Sequence, residues 1–107
     1  MELYHTTDAD GISIMNPDEA AMRELLERLD DPEADEAEHP DVALIHDPSG
    51  WSVSAFPSGT ITLENLNDSD NAPSYMLKVS RDETLQVWLE LSRGNIEKVQ
   101  EKPWISE

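Results

Sequence analysis

The chain of 107 residues carries 24 acids against seven lysines and arginines, a formal charge of −17. Such a field repels nucleic acid and anionic membranes and speeds encounters with cationic partners. It has no cysteine, which removes disulfides, thiolate zinc sites and cysteine nucleophiles, and its 37% hydrophobic content with three tryptophans suits one domain, residues 1–107, that buries roughly 60–70% of its unfolded surface.

The N-terminus shows neither an early basic residue nor an apolar stretch, and the first base is Arg23. A secretory leader is therefore not expected, and the location implied is cytoplasmic. The fragment "DADG" (Asp8, Asp10, Gly11) resembles part of a calcium loop. With Gly11 in the sixth place, however, the bidentate glutamate's position falls on Pro17, so no calcium site is assigned. "GISIM" reads as a short edge strand.

The first helix opens at "NPDEAAMRELLERL". Asn16 is a good N-cap, Pro17 fits the first helical position, and Asp18 and Glu19 complement the positive end of the dipole. Glu19 also completes a capping-box-like spacing from Asn16. Met22, Leu25, Leu26 and Leu29 form one apolar stripe, and Pro32 stops the helix.

Residues 30–41, "DDPEADEAEHPD", hold seven carboxylates and no lysine or arginine. Pro32 and Pro40 bracket any helical turn there. A run of this length is either a solvated connector or one wall of an electrostatic surface.

The apolar period then changes from 3.6 to 2. "DVALIH", "WSVSAF" and "TITLENL" read as strands. In the second, Trp51, Val53 and Ala55 take one face and Ser52, Ser54 and Phe56 the other. The run Val42-Ala43-Leu44-Ile45 is far short of the ~20 apolar residues of a membrane span. Two "PSG" triplets, nine residues apart, are turn chemistry in a three-stranded meander. After the polar loop "NDSDNAP", which contains Asp68 and Asp70, "SYMLKV" reads as a fourth strand.

"SRDETLQVWLELSRG" opens the second helix with a Ser80–Glu83 capping box and ends it with Arg93 and Gly94. Leu85, Trp88 and Leu89 share a face, and Val87 and Leu91 widen it, so this helix is buried on more than one side or offers contacts to a partner. Segments around Val99 or Trp104-Ile105 could add an edge strand. The order is roughly β-α-β-β-β-β-α-β. The fold expected is α+β, an antiparallel four- to five-stranded sheet with two helices packed on one face.

Chemistry gains no positive support. No serine has the G-x-S-x-G context, although a triad assembled from distant positions stays open with His5, His39 and His46. His39 and His46, seven residues apart, match no standard zinc spacing. No phosphate-cradling glycine loop exists, and basic patches with interleaved aromatics are absent, which argues against nucleic-acid binding. No cofactor, metal or catalytic residue is assigned.

Charge is unevenly placed. Residues 1–70 hold 18 acids against Arg23 and Arg28, a balance of −16, whereas residues 71–107 balance at −1. The candidate partner-binding residues are therefore Glu33, Asp35, Glu36, Glu38, Asp41, Asp47, Asp68 and Asp70. Trp51 is the candidate aromatic anchor; Tyr75 and Trp104 are others, and each of the three also reads as core.

In layout the chain resembles a bacterial immunity protein family associated with deaminase-type polymorphic toxins. The resemblance runs through "ISIMNPDEAAMRELLERL" as strand into helix, "VALIHDPSGWSVSAFPSGTITLENL" as a meander, "VSRDETLQVWLELSRG" as second helix and the tail "EKPWISE". Two features depart from the family pattern: proline directly precedes Trp104, and Trp88 replaces part of the family's aromatic set in the second helix. The resemblance implies inhibition by occlusion of a toxin's active site, with the acidic half-chain complementing a basic groove built for nucleic acid. The reading is a non-catalytic, acidic inhibitor of a basic protein partner, a nucleic-acid-modifying toxin. Two alternatives stay open: a cytoplasmic accessory protein with no toxin involved, and an enzyme whose site assembles in three dimensions.

Overall fold

Strand-forming alternation and two amphipathic helices build one sheet with a helical layer on it. The structure, a computed structural model, describes residues 3–8, 11–30, 41–67 and 73–106. The strands are β1 (Tyr4–Thr7), β2 (Ser13–Met15), β3 (Val42–His46), β4 (Trp51–Ala55), β5 (Ile61–Asn65), β6 (Ser74–Met76) and β7 (Ile105–Ser106). They lie in the order β2-β1-β3-β4-β5-β6-β7, and every pair is antiparallel.

The α+β class and the antiparallel sheet stand as expected, but the strand number does not. Six strands have three residues or more and a seventh has two, against the four or five expected. The unexpected strand is β1. Asp8 makes it possible: its N–H donates to the Ile12 carbonyl at 3.1 Å and its Oδ1 accepts from the Ile12 N–H at 2.9 Å. Gly11 N–H donates in turn to Asp8 O at 3.0 Å, so Asp8 and Gly11 close the end of a β1–β2 hairpin. β1 also pairs with β3 on its other side, so a weak four-residue sequence is held by backbone ladders from both neighbours.

The helices are α1 (Glu19–Glu27), continued by a 3-10 turn at Arg28–Asp30, then α2 (Arg81–Ser92) and α3 (Ile96–Gln100). α1 starts two residues later than its sequence suggests. Asp18 is the N-cap, accepting from the Ala21 N–H at 2.8 Å. Asn16 instead takes a left-handed φ of 47°, and its Oδ1 accepts from the Tyr4 N–H at 3.0 Å. It prolongs the β1–β2 ladder, which wins over capping.

Ser80 caps α2 as expected, accepting from the Glu83 N–H at 3.1 Å. At the other end Asn95 N–H reaches Glu90 O and Gly94 N–H reaches Leu91 O, each at 3.0 Å. That double closure needs the φ of 78° that Gly94 supplies. Val99, a candidate edge-strand residue, belongs to α3 instead; of the two C-terminal options only Ile105 became a strand. "SYMLKV" pairs only through Met76, because Lys78 adopts a φ of 56° and turns the chain toward α2.

One face of the sheet and the helices share the core. Leu44, Val53, Ala55, Ile61 and Leu63 point toward Met22, Leu25 and Leu26 of α1 and Leu85, Trp88 and Leu91 of α2 in a single apolar cluster. Trp88 is 0% exposed, and its indole N–H donates to the Val53 carbonyl at 3.1 Å, so α2 is pinned to the centre of the sheet. Arg81 fastens the far end. Its Nε donates to Asp30 Oδ1 at 3.1 Å, and its Nη atoms donate to the Phe56 and Pro57 carbonyls at 3.2 and 3.0 Å. Start of α2, end of α1 and the β4–β5 turn meet in one guanidinium.

Two stability changes are expected from urea unfolding. Trp88→Ala empties the centre of the core and removes the indole donor from the Val53 carbonyl, a loss of about 3–5 kcal/mol. Arg81→Lys keeps the charge but cannot serve three acceptors in a fixed fork, so it recovers little of the ~1–3 kcal/mol that Arg81→Ala removes.

Candidate functional site

A strand points successive side chains to opposite faces, and the pairing register carries that alternation across the sheet. The face turned away from the helices therefore carries His5 and Thr7 from β1, Met15 from β2, Ala43 and Ile45 from β3, and Ser52 and Ser54 from β4. Beyond them come Thr62 and Glu64 from β5, Tyr75 from β6 and Ile105 from β7. Ala43 and Ile45 are buried yet stand outside the helix-side cluster, as the alternation requires.

The ladders run one residue past two strand ends. Asp47 N–H donates to Leu3 O at 2.9 Å, and Leu66 N–H donates to Gly50 O at 2.8 Å. Leu3, Asp47 and Leu66 thereby join this outer face. The Asp47 carboxylate confirms it by reaching His5 Nδ1 at 2.9 and 3.0 Å. Ala43, Ile45, Ser52 and Ser54 are buried at the centre of this face, while the large apolar exposures lie at the periphery, at Leu3, Met15, Leu66 and Ile105.

No lysine or arginine stands on any strand. Arg23 lies on α1 and Arg28 on its 3-10 extension; Lys78, Arg81, Arg93, Lys98 and Lys102 lie on α2, α3 or the links beside them. The outer face presents Asp47 and Glu64 with no ammonium or guanidinium among its strand positions. Charge segregation of this kind is invisible in the total.

The proposed acidic wall is not brought together by its described members. Asp41 precedes β3 and Asp47 follows it, so they stand about 20 Å apart along the strand axis at ~3.4 Å per residue. Trp51 shares an end of the sheet with Asp47 but points to the opposite face, where it packs against the core. Trp104 also packs there, donating its indole N–H to Val99 O at 2.7 Å. Tyr75 alone of the aromatic candidates lies on the outer face. Glu33, Asp35, Glu36, Glu38, Asp68 and Asp70 lie outside the described residues, as does His39.

The remaining histidine is a turn component. His46 is 4% exposed, and its Nδ1 lies 2.7 Å from Ser49 Oγ. That hydroxyl also accepts the Trp51 N–H at 3.2 Å. An imidazole so enclosed gives a substrate no approach, and the pair locks the β3–β4 turn. Among the described residues no group of three His, Asp or Glu side chains is placed to hold a metal, and no helix is long and apolar enough to cross a membrane.

The peripheral leucines and Met15 escaped sequence reasoning because apolar residues beside turns carry no periodic signal. Only the register assigns them a common face. Comparison with protein-family models, curated proteins and solved structures finds no match.

The end of the sheet carrying Asp47 depends on Gly50. Its φ is 77°, and a Cβ there would overlap the Asn67 side-chain amide, on a residue whose backbone N–H donates to Asn65 Oδ1 at 2.8 Å. Gly50→Ala should cost about 1–3 kcal/mol in denaturant titration, with the largest NMR shift changes at residues 47–51 and 65–67.

Proposed function

We propose that this protein is a non-catalytic, acidic inhibitor that binds a basic protein partner, and that the partner is a cognate toxin acting on nucleic acid in the bacterial cytoplasm. The observation that carries this reading is the placement of charge: a sheet without a single lysine or arginine, in a chain of net charge −17, with its basic groups confined to the helical layer and adjoining links. A cationic surface approaching the outer face meets Asp47, Glu64 and peripheral apolar side chains.

The layout resemblance to immunity proteins of deaminase-type toxins supplies the partner class. Enzymes that modify nucleic acid need a basic groove for the substrate strand. An acidic protein seated in such a groove displaces the substrate, its carboxylates standing in for phosphates. Charges of this kind act mainly on association rate and specificity, while a buried apolar contact supplies affinity. The outer face has both ingredients, with Tyr75 and Ile105 as the apolar contribution. It is neutral on whether residues 30–41 add a second acidic wall.

Co-expression with a toxin-like reading frame from the adjacent gene should restore growth; persistent killing would remove the toxin from this reading and leave an accessory protein of another basic partner. In stopped-flow kinetics with the purified partner, Asp47→Asn combined with Glu64→Gln should slow association several-fold at low ionic strength, the difference fading near 1 M salt. Folding stability should change by no more than about 1 kcal/mol, since the His5–Asp47 contact is partly exposed. Neutralising Glu33, Asp35, Glu36 and Glu38 should likewise lower both the rate and its salt dependence. Rates that stay unchanged in both variants count against electrostatic docking.

A further inference from the structure

Among the described residues β2 is an edge strand, and of the usual protections it has only its shortness. It ends the sheet order, its three residues are all exposed, and it holds no lysine, proline or bulge, devices that ordinarily keep an edge from pairing. The ladder fixes which backbone groups it offers. Asn16 N–H donates to Tyr4 O and Asp8 N–H to Ile12 O, so Tyr4–Asn16, Thr6–Ile14 and Asp8–Ile12 are the hydrogen-bonded pairs. The alternation of antiparallel ladders then turns the N–H and C=O of Ser13 and Met15 outward.

Beside this edge runs a cleft of about 220 Å³ between the β1–β2 hairpin and α1, lined by Thr6, Asp8, Ile12, Ile14, Ala21, Glu24, Leu25 and Arg28. Ile12 is 59% exposed and Ile14 47%, which is unusual for isoleucines facing a helix. The cleft thus has an apolar floor. Asp8 already bonds Arg28 at 3.4 Å and the Ile12 N–H, which leaves Glu24 as the carboxylate offered to an incoming cation.

We infer that an extended, basic segment of the partner adds alongside β2 as a further strand, with a branched apolar side chain in the cleft against Ile14 and Leu25 and a neighbouring lysine or arginine at Glu24. Outward N–H and C=O groups are matched by a strand and by little else. The sign of the charge selects the occupant. A second copy of this chain would bring −17 against −17, whereas a basic segment is drawn in. The inference rests on the cationic-partner reading above and deepens it by naming how contact is made.

The test uses the full chain, ¹⁵N-labelled, and a capped hexapeptide of alternating lysine and valine at low salt. Amide exchange at Ser13 and Met15 should slow by about tenfold at saturation. A lysine–glycine peptide of equal charge should bind about fivefold more weakly. Ser13→Pro, which removes one outward N–H at an edge that tolerates proline, should weaken the lysine–valine peptide by a similar factor. Should that variant not fold, an N-methylated version of the peptide, with the protein unchanged, should show the same loss. Binding that perturbs other residues and ignores both changes overturns the edge proposal while the cationic-partner reading stands. Absence of any binding overturns both. Concentration-dependent self-association through Ser13 and Met15 would give the edge to a second copy and also overturn it. A failed toxin rescue alongside protected Ser13 and Met15 amides would remove the toxin and leave the edge proposal supported.

Discussion

The indole of Trp88, lodged between α2 and the sheet with its N–H on the Val53 carbonyl, decides which way the sheet faces. A strand shows two faces of different chemistry, and a helix can cover only one. Once Trp88 is committed to Val53, its neighbours Leu85 and Leu91 must meet Leu44 and Ile61 in the same cluster. Every residue of opposite parity is then turned outward. Arg81 completes the arrangement by joining the end of α1 and the β4–β5 turn to the same helix. The outer face is a consequence of this packing.

Charge follows the same division. Bases kept to the helical layer can pair locally, as Arg28 does with Asp8 and Arg23 with Glu19 and Asp82. These pairs are exposed or partly exposed and contribute little to stability. With all seven bases on the helices and their links, the strands carry no lysine or arginine. Under the proposed reading, the bases that the fold uses would sit on the layer that a cationic partner does not touch. The β2 edge and the outer face meet at Met15, so strand addition and face-on contact would engage neighbouring parts of one surface.

Much of the fold was legible in residues. The three-stranded meander, the helix over Ser80–Gly94 and the turns at Gly50 and Gly59 follow from period and turn chemistry, because local sterics dominate there. The misses share a cause. Asn16 looked like a cap and Val99 like strand because propensity was weighed without knowing the neighbours. Asn16 was claimed by the Tyr4 amide, and Val99 by a short helix against the core. β1 has no strong signal of its own and exists because β2 and β3 each pair with it.

Composition and pattern by themselves determined the acidic character, the α+β class, both long helices and the central strands, since each depends on contacts within a few residues or on simple counting. Only the tertiary structure decided that seven strands share one sheet, that Asp41 and Asp47 are separated by the length of β3, and that the bases avoid every strand. Those facts rest on register and on which helix covers which face. Register is a relation between distant segments, and a one-residue slip would exchange the two faces.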